Sequence, residues 1–479
     1  MLKLFNTYSD KIEEFTPLNG NKVNMYVCGP TVYDHPHLGH ARCYITWDVV
    51  YRYLKFLGYD VKYCRNVTDV DDKILARSEK EGITPDEVAK KYYDIFSESM
   101  KKLNNLKPDI EPFATKNLGE MIAIVKKLIE KGFAYEVDGD VYFRVKKFPK
   151  YGALSKQPID DLVAGARVEA STKKEDVLDF ALWKKDEKHG YKSPWGIGRP
   201  GWHIECSAMA RKHLAPEIDI HAGGADLIFP HHENEIAQSE CANGCQFVKY
   251  WLHNGFVTIN KEKMSKSLGN FKTIDSILEN YDANTIRFFI LTNHYRMPVE
   301  FNDEALEAAS AGVKRLKNAA NNLLNYTGKE NLKEDVQCEE IEQFKAAMND
   351  DFNTSKALAV LFDIATKGNK AKDANDKENA EKYISALMKL ARVLGFNFEK
   401  VELDENQLKE KLNIIVNEFD FITDKNAPAF DIMQKIIEER NKARTEKNWT
   451  IADKIRNELD KINIVLKDTK NGTTEWEVK

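Results

Sequence analysis

The feature that most constrains the fold is a predicted strand, loop and helix start between Val23 and His40. The stretch reads VNMYVCGPTVYDHPHLGH, with an apolar run to Val27, a Gly-Pro break, and a helical pattern over Leu38 to about Phe56. The segment from Asp60 to Val67 reads as a second strand. The order strand, helix, strand predicts a βαβ unit and therefore a parallel α/β sheet.

His37, Gly39 and His40 fall where the predicted helix begins. A helix N-terminus offers unpaired N–H groups and the positive end of the dipole to an anion. The two histidines are three residues apart and can share one face, and Gly39 leaves the backbone open to a ligand. The stretch predicts a phosphate site at which two imidazoles stabilise developing charge, although this spacing alone is weakly specific.

A second motif, KMSKS, runs from Lys263 to Ser267 and is followed by a glycine. Two lysines on a short loop suit a polyphosphate, because an ammonium is a compact charge on a flexible stem. A solvated surface loop is the alternative for this motif taken alone. In this order the two motifs together resemble the paired signatures of the class I aminoacyl-tRNA synthetases.

Four further stretches resemble one family within that class, the cysteinyl-tRNA synthetases. They read CGPTVYDHPHLGHAR, GWHIEC, FPHHENEIAQS and MNDDFNTSKAL, and the resemblance runs along the whole chain. It implies ATP-dependent activation of L-cysteine to cysteinyl-AMP, followed by transfer to the 3′-terminal ribose of tRNA(Cys) with release of AMP and pyrophosphate. It also implies Mg²⁺ bound with ATP.

The resemblance assigns roles to individual residues. The catalytic residues it implies are His37, His40, Lys263 and Lys266; the ATP-binding ones are Gly39, Gly224, Asp226 and Lys266; the cysteine-binding ones are Gly29, Thr68 and Trp202. Taken without the resemblance, Trp202 is as readily a core residue, and the glycine pair before Asp226 is as readily a tight turn.

A possible metal site combines distant residues. Cys28 ends the first predicted strand, Cys206 lies on a predicted helix, and His231 and Glu235 are i, i+4 neighbours on another. Two thiolates, an imidazole and a carboxylate suit tetrahedral zinc. Spacing alone leaves His232 equal to His231 and favours plain buried cysteines. The resemblance selects the first four residues, with one zinc per subunit that binds the substrate thiolate and discriminates against serine.

The composition excludes several other classes of protein. The seven cysteines are odd in number and scattered, which argues against a disulfide framework. A formal net charge of −5 neither indicates nucleic-acid binding nor excludes a local basic groove. No apolar run approaches the roughly 20 residues that span a membrane, and the N-terminus lacks the apolar segment of a signal peptide. We expect a cytoplasmic monomer with no membrane partner, whose partners are tRNA(Cys), L-cysteine and ATP.

The pattern of elements predicts an α/β fold class interrupted by an insertion, then a helix bundle and a small C-terminal domain. The resemblance implies that these parts are a class I Rossmann-type catalytic domain split by a connective-peptide insertion, an all-α helix bundle and a small C-terminal anticodon-binding domain. The insertion is expected to hold a hairpin around Asp138-Gly139 and an irregular segment to about Trp195. The predicted bounds are 1–130 and 201–250 for the Rossmann halves, 131–200 for the insertion, 251–302 for the KMSKS region, 303–400 for the bundle and 401–479 for the last domain.

The C-terminal stretch carries residues suited to single-stranded bases. Arg440 and Arg444 are one helical turn apart, and Trp449, Asp453 and Asp468 follow. Guanidinium forks and an indole face can stack on and hydrogen-bond to splayed bases. An amphipathic surface helix with ordinary charge pairs is the alternative from the residues alone. The resemblance assigns all five to anticodon reading.

Two rival functions fit parts of the chain. One is a ligase that joins cysteine to an amino sugar, but such relatives lack an anticodon-binding domain. The other is a non-catalytic tRNA-binding regulator, which would be expected to have lost metal ligands or lysines that are all present here.

Overall fold

The computed structural model describes residues 1–157, 173–259, 262–264, 271–328, 332–398, 405–419, 421, 424–462, 464–468 and 474–478. The chain divides into two compact units, Met1–Asn397 and Phe398–Lys479. No described helix is both long and apolar enough to cross a membrane.

Strands and helices alternate in the first half of the chain, and helices dominate the second. The described strands are β1 Lys3–Asn6, β2 Lys11–Glu14, β3 Lys22–Val27, β4 Asp60–Arg65, β5 Ala134–Val137, β6 Asp140–Phe143, β7 Phe180–Lys185, β8 Tyr191–Ser193, β9 Gly196–Pro200, β10 Ile218–Gly224, β11 Val248–Asn254, β12 Val257–Ile259, β13 Glu262–Lys263, β14 Val299–Glu300, β15 Ile464–Asp468 and β16 Thr474–Val478. The described helices are α1 Leu38–Phe56, α2 Asp72–Glu81, α3 Pro85–Lys102, α4 Leu118–Glu130, α5 Trp202–His213, α6 Glu233–Asn243, α7 Ile274–Leu278, α8 Ala283–Leu291, α9 Asp303–Thr327, α10 Glu339–Asn349, α11 Thr354–Asp373, α12 Lys377–Val393, α13 Glu405–Glu418, α14 Ala429–Thr445 and α15 Trp449–Lys461.

A parallel sheet in the order β11-β10-β3-β4 lies at the centre of the first unit. The predicted unit of β3, α1 and β4 is confirmed, and α1 spans the predicted Leu38–Phe56. Val27 pairs in register with both Ala222 of β10 and Arg65 of β4, so β3 is an inner strand. Val23 and the run from Met25 to Val27 are buried, as expected for an inner strand of a parallel sheet that helices cover.

An antiparallel sheet in the order β5-β6-β7-β9-β8 lies between β4 and β10 in the sequence. Its first hairpin turns at Asp138 and Gly139, which both have positive φ (52° and 87°), as a tight two-residue turn requires. The hairpin was predicted, but the expectation of an irregular segment to about Trp195 is wrong, because β7 and β8 lie there. Glycines and lysines interrupt the alternation of apolar and polar residues that would indicate these short strands. The strands are stabilised by pairing with their neighbours in the sheet.

Helices α9 to α12 pack against one another as the predicted bundle. Each buries one apolar face, as in α9, where Leu306, Val313, Leu316 and Leu323 are buried. Buried Arg287 of α8 joins the bundle to the catalytic part of the same unit. It donates hydrogen bonds to the Asp48 carboxylate at 2.7 Å and to the carbonyl of Leu394 at 3.1 Å.

The second unit is a small domain with its own core. Helices α13, α14 and α15 bury Leu412, Ile415, Ile432, Ile436 and Ile455, and the unit ends in the antiparallel hairpin of β15 and β16. The sequence predicted a separate C-terminal domain but not this hairpin. The six predicted domain bounds themselves stay predictions.

Candidate active site

The candidate site lies at the carboxyl edge of the parallel sheet. Cys28 follows β3, Asn66 follows β4, Gly224 ends β10 and Asn254 ends β11. Because all four strands are parallel, their carboxyl ends meet at one edge, where open α/β sheets bind ligands. The topology therefore brings together residues that are up to about 230 positions apart.

Four metal-type donors meet in a buried corner of this edge, which we call the donor corner: Cys28, Cys206, His231 and Glu235. The two Sγ atoms are 3.7 Å apart, and Nε2 of His231 lies 3.6 Å from the Cys206 Sγ. Oε1 of Glu235 lies 3.0 Å from the His231 Nε2 and 3.6 Å from the Cys28 Sγ. All four side chains are buried, with exposed fractions of 5% or less.

The electrostatics of the donor corner suit a cation. Burial, together with neighbouring Cys206 and Glu235, raises the pKa of the Cys28 thiol well above its usual range. Burial raises the pKa of Glu235 in the same way. The Cys28 thiol and the Glu235 carboxyl therefore ionise with difficulty in the donor corner when no cation is bound. A divalent cation would offset the cost of their ionisation.

A second donor set overlaps the first. His221 and His232 place their Nε2 atoms 3.5 and 3.3 Å from the Cys28 Sγ, and His221 lies 3.5 Å from Oε2 of Glu235. Burial lowers the pKa of both rings well below the usual value, so both are neutral. The sequence left His231 and His232 as equal candidates for the histidine ligand. The structure places both near a cysteine sulfur, His231 beside Cys206 and His232 beside Cys28, so the choice between them is narrowed only in part.

The local backbone explains why adjacent histidines diverge. Helix α6 was expected to include both of them, but it begins at Glu233, and residues Ile228–His232 form a wider turn. His231 is held between a ring stack with Trp202 at 4.1 Å and a hydrogen bond of its Nδ1 with His203 at 2.9 Å. Nδ1 of His232 instead bonds to His253, whose pKa burial lowers to about 3.

Trp202 and Thr68 differ in their accessibility. Trp202 is 40% exposed at the first residue of α5 and lines the cleft, so it is not a core tryptophan. Thr68 is only 2% exposed and pairs with Thr31 in a parallel bridge beside the loop from Gly29 to Thr31. Its hydroxyl donates a hydrogen bond of 2.6 Å to Glu205, whose pKa burial raises well above the usual range.

His37 and His40 cap α1. His37 is the N-cap residue, its Nδ1 accepts from the backbone N–H of Gly39 at 3.1 Å, and Nδ1 of His40 accepts from the N–H of His37 at 3.1 Å. The ring centroids are 4.0 Å apart. A Cβ at Gly39 would lie 2.9 Å from the His37 ring, so this glycine first makes room for the histidine.

A cleft of about 310 Å³ joins the donor corner to the start of α1. Gly224 and Asp226 border it at the end of β10, where a Cβ on Gly224 would lie 2.5 Å from the Asp226 carboxylate. Eight of the residues expected to act in the site line the cleft: Cys28, Gly29, His37, Gly39, His40, Trp202, Gly224 and Asp226.

The side chains of the two lysines of the second motif lie outside the described part of the chain. Lys266 lies outside the described residues, and only the backbone of Lys263 is described, in strand β13 paired with β12. Two described residues place the motif near the cleft. Met264, within the motif, lines the cleft. Lys272, after the motif, accepts a hydrogen bond of 3.0 Å through its carbonyl from the backbone N–H of Leu38.

The C-terminal residues differ in how exposed they are. Arg440 and Arg444 are one turn apart on α14, but Arg440 is 5% exposed and Arg444 is half-buried. Trp449 begins α15 and is 57% exposed, and Asp453 on the next turn is exposed. Asp468 ends β15, and its side chain lies outside the described part of the chain.

Sequence reasoning missed several residues of the site. Asn66 and Glu205 lie beneath its floor, and Lys73, Cys43 and Asn254 line the cleft. Asn66 had a usable signal, because it is a polar residue at the carboxyl end of the predicted strand from Asp60 to Val67. Glu205 had another, because it is a charged residue directly before Cys206 in a predicted helix.

Three family profiles match the chain in succession. The profile described as the class I (C) tRNA synthetase catalytic domain matches residues 14–311, more than half of the chain. A DALR domain matches residues 343–399, and the cysteinyl-tRNA ligase anticodon binding domain matches residues 431–476.

Known proteins resemble the chain over its full length. It is 45% identical to the cysteine–tRNA ligase of Thermodesulfovibrio yellowstonii, with all of both chains covered. It is 47% identical to the cysteine–tRNA ligase of Actinobacillus pleuropneumoniae, with 99% of each covered. Among solved structures, methionyl-tRNA synthetase from Mycobacterium tuberculosis in complex with methionyl-adenylate superimposes with a TM-score of 0.57 at 16% identity, covering 78% of this chain and 89% of that one. This likeness confirms the predicted class I synthetase fold.

Proposed function

The chain belongs to the cysteinyl-tRNA synthetase family, and on that premise we propose how its cleft activates cysteine and transfers it to tRNA. The family joins cysteine to tRNA with ATP, so cysteine, ATP and tRNA are the substrates. The observation that carries the proposal is the position of the donor corner, which opens through Cys28 and Trp202 onto the cleft that ends at the capped start of α1.

We propose that Cys28, Cys206, His231 and Glu235 hold one zinc ion per subunit. Zinc–sulfur bonds of about 2.3 Å in a tetrahedron place two sulfurs about 3.8 Å apart, and the Sγ atoms here are 3.7 Å apart. Bound zinc supplies a soft acceptor that prefers the substrate thiolate to the hydroxyl of serine. In this arrangement His221 and His232 act as N–H donors to the Cys28 sulfur, which accounts for the second donor set.

The cysteine substrate is proposed to lie between the donor corner, Gly29, Thr68 and Trp202. Trp202 stacks on His231 and is partly exposed at the cleft, so its indole can cover the substrate side chain. Gly29 has no room for a side chain, because a Cβ there would lie 1.5 Å from the carbonyl of Asn66. The absence of a side chain therefore lets the backbone at Gly29 pack directly against the backbone at Asn66.

ATP is proposed to occupy the other end of the cleft, with Mg²⁺ on its phosphates. The N-terminus of α1 and the imidazoles of His37 and His40 face phosphate, and Gly39 lets the backbone approach. Gly224 and Asp226 are proposed to bind the adenosine, with the carboxylate accepting from ribose hydroxyls. Lys263 and Lys266 are proposed to neutralise the pyrophosphate side.

The reaction then needs positioning and charge stabilisation rather than a covalent enzyme intermediate. The cleft orients the carboxylate of cysteine toward the α-phosphate of ATP. A carboxylate oxygen attacks that phosphorus, which forms cysteinyl-AMP and releases pyrophosphate. Charge grows on the leaving phosphates during this step, and His37, His40 and the two lysines stabilise it. A terminal ribose hydroxyl of tRNA(Cys) then attacks the activated carbonyl, and AMP leaves.

The direct test is charging of unfractionated tRNA with labelled cysteine and ATP, beside labelled serine. We expect cysteine to be attached and serine not. Activation of cysteine without charging of tRNA would point to the amino-sugar ligase instead. Absence of both activities in folded, zinc-loaded protein would favour the non-catalytic regulator.

The second unit is proposed to read the anticodon through Arg440, Arg444, Trp449, Asp453 and Asp468. Support comes from the match of residues 431–476 to an anticodon binding domain and from the exposed indole of Trp449. Loss of one base stack costs about 1–3 kcal/mol, so Trp449→Ala should lower kcat/KM for tRNA by about 5- to 150-fold. Pyrophosphate exchange with cysteine should stay unchanged. The matched control is Phe430→Ala, an equally exposed aromatic in the same unit.

A cytoplasmic location and a monomeric state complete the proposal. ATP, cysteine and tRNA meet in that compartment, and the four proposed ligands of one chain are enough for a tetrahedral zinc site. Sedimentation of the zinc-loaded protein should give a mass near 55.0 kDa.

A further inference from the structure

Three side chains beneath the floor of the cleft form a chain of hydrogen bonds in which every donor points the same way. The backbone N–H of Gly29 donates to Oδ1 of Asn66 at 2.7 Å, and Nδ2 of Asn66 donates to Oγ1 of Thr68 at 3.3 Å. Oγ1 of Thr68 donates to Oε2 of Glu205 at 2.6 Å. We name Asn66, Thr68 and Glu205 the floor triad.

The floor triad is buried more deeply than its chemistry alone would favour. Asn66, Thr68 and Glu205 have exposed fractions of 1%, 2% and 1%. Oε1 of Glu205 accepts no hydrogen bond from any described residue. Buried polar groups normally have partners, so a bare carboxyl oxygen beside the site indicates a role beyond packing.

The direction of the bonds decides what the Thr68 hydroxyl can still do. A hydroxyl has one proton and two lone pairs. The proton goes to Oε2 of Glu205, which accepts it when the carboxylate is ionised or carries its own proton on Oε1, and one lone pair takes the Asn66 N–H. The remaining lone pair makes Thr68 an acceptor toward any further ligand.

The backbone places this acceptor next to the substrate position. The N–H of Thr68 donates to the carbonyl of Pro30 at 3.0 Å, and the loop from Gly29 to Thr31 lines the cleft. Oδ1 of Asn66 also lies 3.7 Å from the Cys206 Sγ, so the floor triad borders the donor corner. In cysteine the amino nitrogen is three bonds from the sulfur, so the two groups reach neighbouring positions.

We infer that Glu205 and Asn66 are positioning residues that fix the Thr68 hydroxyl as an acceptor for the ammonium group of the amino acid. This inference rests on the proposed function, because it requires the substrate thiol to be at the donor corner. The ammonium group of the substrate can donate a hydrogen bond to the Thr68 hydroxyl. A carboxylate would meet only an acceptor lone pair there, with the Glu205 carboxyl group behind it. The floor triad therefore turns the substrate carboxylate away from Thr68 and selects against thiol acids that lack an amino group.

The test compares L-cysteine with 3-mercaptopropionate, which keeps the thiol and carboxylate but has no amino group. Dissociation constants of both are measured by calorimetry on zinc-loaded wild type and on Glu205→Met, which keeps side-chain length but removes the acceptor. We expect cysteine to bind about tenfold or more weakly to Glu205→Met, since a hydrogen bond to a charged group is lost. Binding of 3-mercaptopropionate should change less than twofold.

Two further variants separate positioning from folding. Glu205→Gln keeps a carbonyl oxygen that accepts from Thr68, so it should restore most of the cysteine affinity. Thr68→Val removes the hydroxyl, and adding Glu205→Met to it should cause no further loss if the two residues act as one unit. In pyrophosphate exchange the loss should fall mainly on the KM for cysteine, with kcat and the zinc content kept.

Several outcomes would overturn the inference. An equal loss of affinity for cysteine and 3-mercaptopropionate would make Glu205 merely structural. Unchanged cysteine binding in Glu205→Met, or additive losses in the double variant, would break the link to Thr68. If the wild type bound neither ligand, the proposed function itself would fail, and the selectivity inference would fall with it.

Discussion

The proposed amino-acid end of the cleft and its proposed nucleotide end are built differently. At the first, each donor-corner side chain lies within 3.7 Å of another donor and is almost fully buried. At the second, His37 and His40 are half-buried, Asp226 is exposed, and the main binding element is the start of α1. The buried end can discriminate the chemistry of a side chain, whereas the open end presents backbone and imidazole donors to a large, charged ligand.

The difference follows from what each ligand offers. Cysteine differs from serine by one atom, and an apolar pocket discriminates such pairs only about 10–200-fold, so a fixed set of soft donors is needed. ATP carries several charges, and a helix N-terminus with a few cationic side chains binds them without enclosing them. Selectivity and catalysis should therefore be separable by mutation.

The largest effect should come from Cys206→Ser at the amino-acid end. A hydroxyl is a poor zinc ligand at neutral pH, so zinc content and cysteine activation should fall together, activation by at least about 100-fold. Metal analysis and pyrophosphate exchange on the same sample check this.

Cys241→Ser is the matched control, because Cys241 is also a buried thiol, 7% exposed, on α6. Loss of zinc in both variants, or in neither, would contradict the assigned ligands.

His40→Asn should have a smaller and different effect at the nucleotide end. Its amide oxygen can replace Nδ1 as acceptor for the N–H of His37, while the rest of the imidazole is lost. We expect kcat for adenylate formation to fall about 100-fold, as for loss of one transition-state donor, with zinc content unchanged.

His40→Ala removes the cap as well and should also lower the free energy of unfolding by about 1 kcal/mol. Equal thermal stability of the two variants would contradict the capping role. Loss of zinc in His40→Asn would show that the two ends of the cleft are not separable.

The smallest effect concerns Cys43, which lines the cleft between the two ends. Burial and the Asp226 carboxylate raise the pKa of this thiol to about 12. Alkylation of Cys43 should therefore be slow at pH 8 and rise about tenfold per pH unit up to that value, because only the thiolate reacts. Mass spectrometry of the alkylated peptides checks the rates against exposed Cys245.

Asp226→Asn sharpens this measurement. Removing the negative charge lowers the pKa of Cys43 and should speed its alkylation severalfold at a given pH. An unchanged rate would mean that the carboxylate does not act on that thiol. The reaction of Cys245 in the same sample serves as the internal standard.

Much of the fold could be predicted from local patterns. The bounds of α1 and the Asp138-Gly139 turn both follow from interactions within a few residues. The short strands β7 and β8 could not be predicted, because their stability comes from partners far along the chain. The same limit applies to the start of α6 at Glu233, where a wide turn replaces the expected helix.

The site divides in the same way. The sequence by itself determined the chemical types present and, through its motifs, the family, since both are properties of residue identity and spacing. Only the tertiary structure decided that Cys28 meets Cys206 from 178 residues away, and that His231 and His232 point to different sulfurs. It also decided that Asn66 and Glu205 meet at Thr68. Such contacts depend on the order of parallel strands and on helix orientation, which local patterns do not fix.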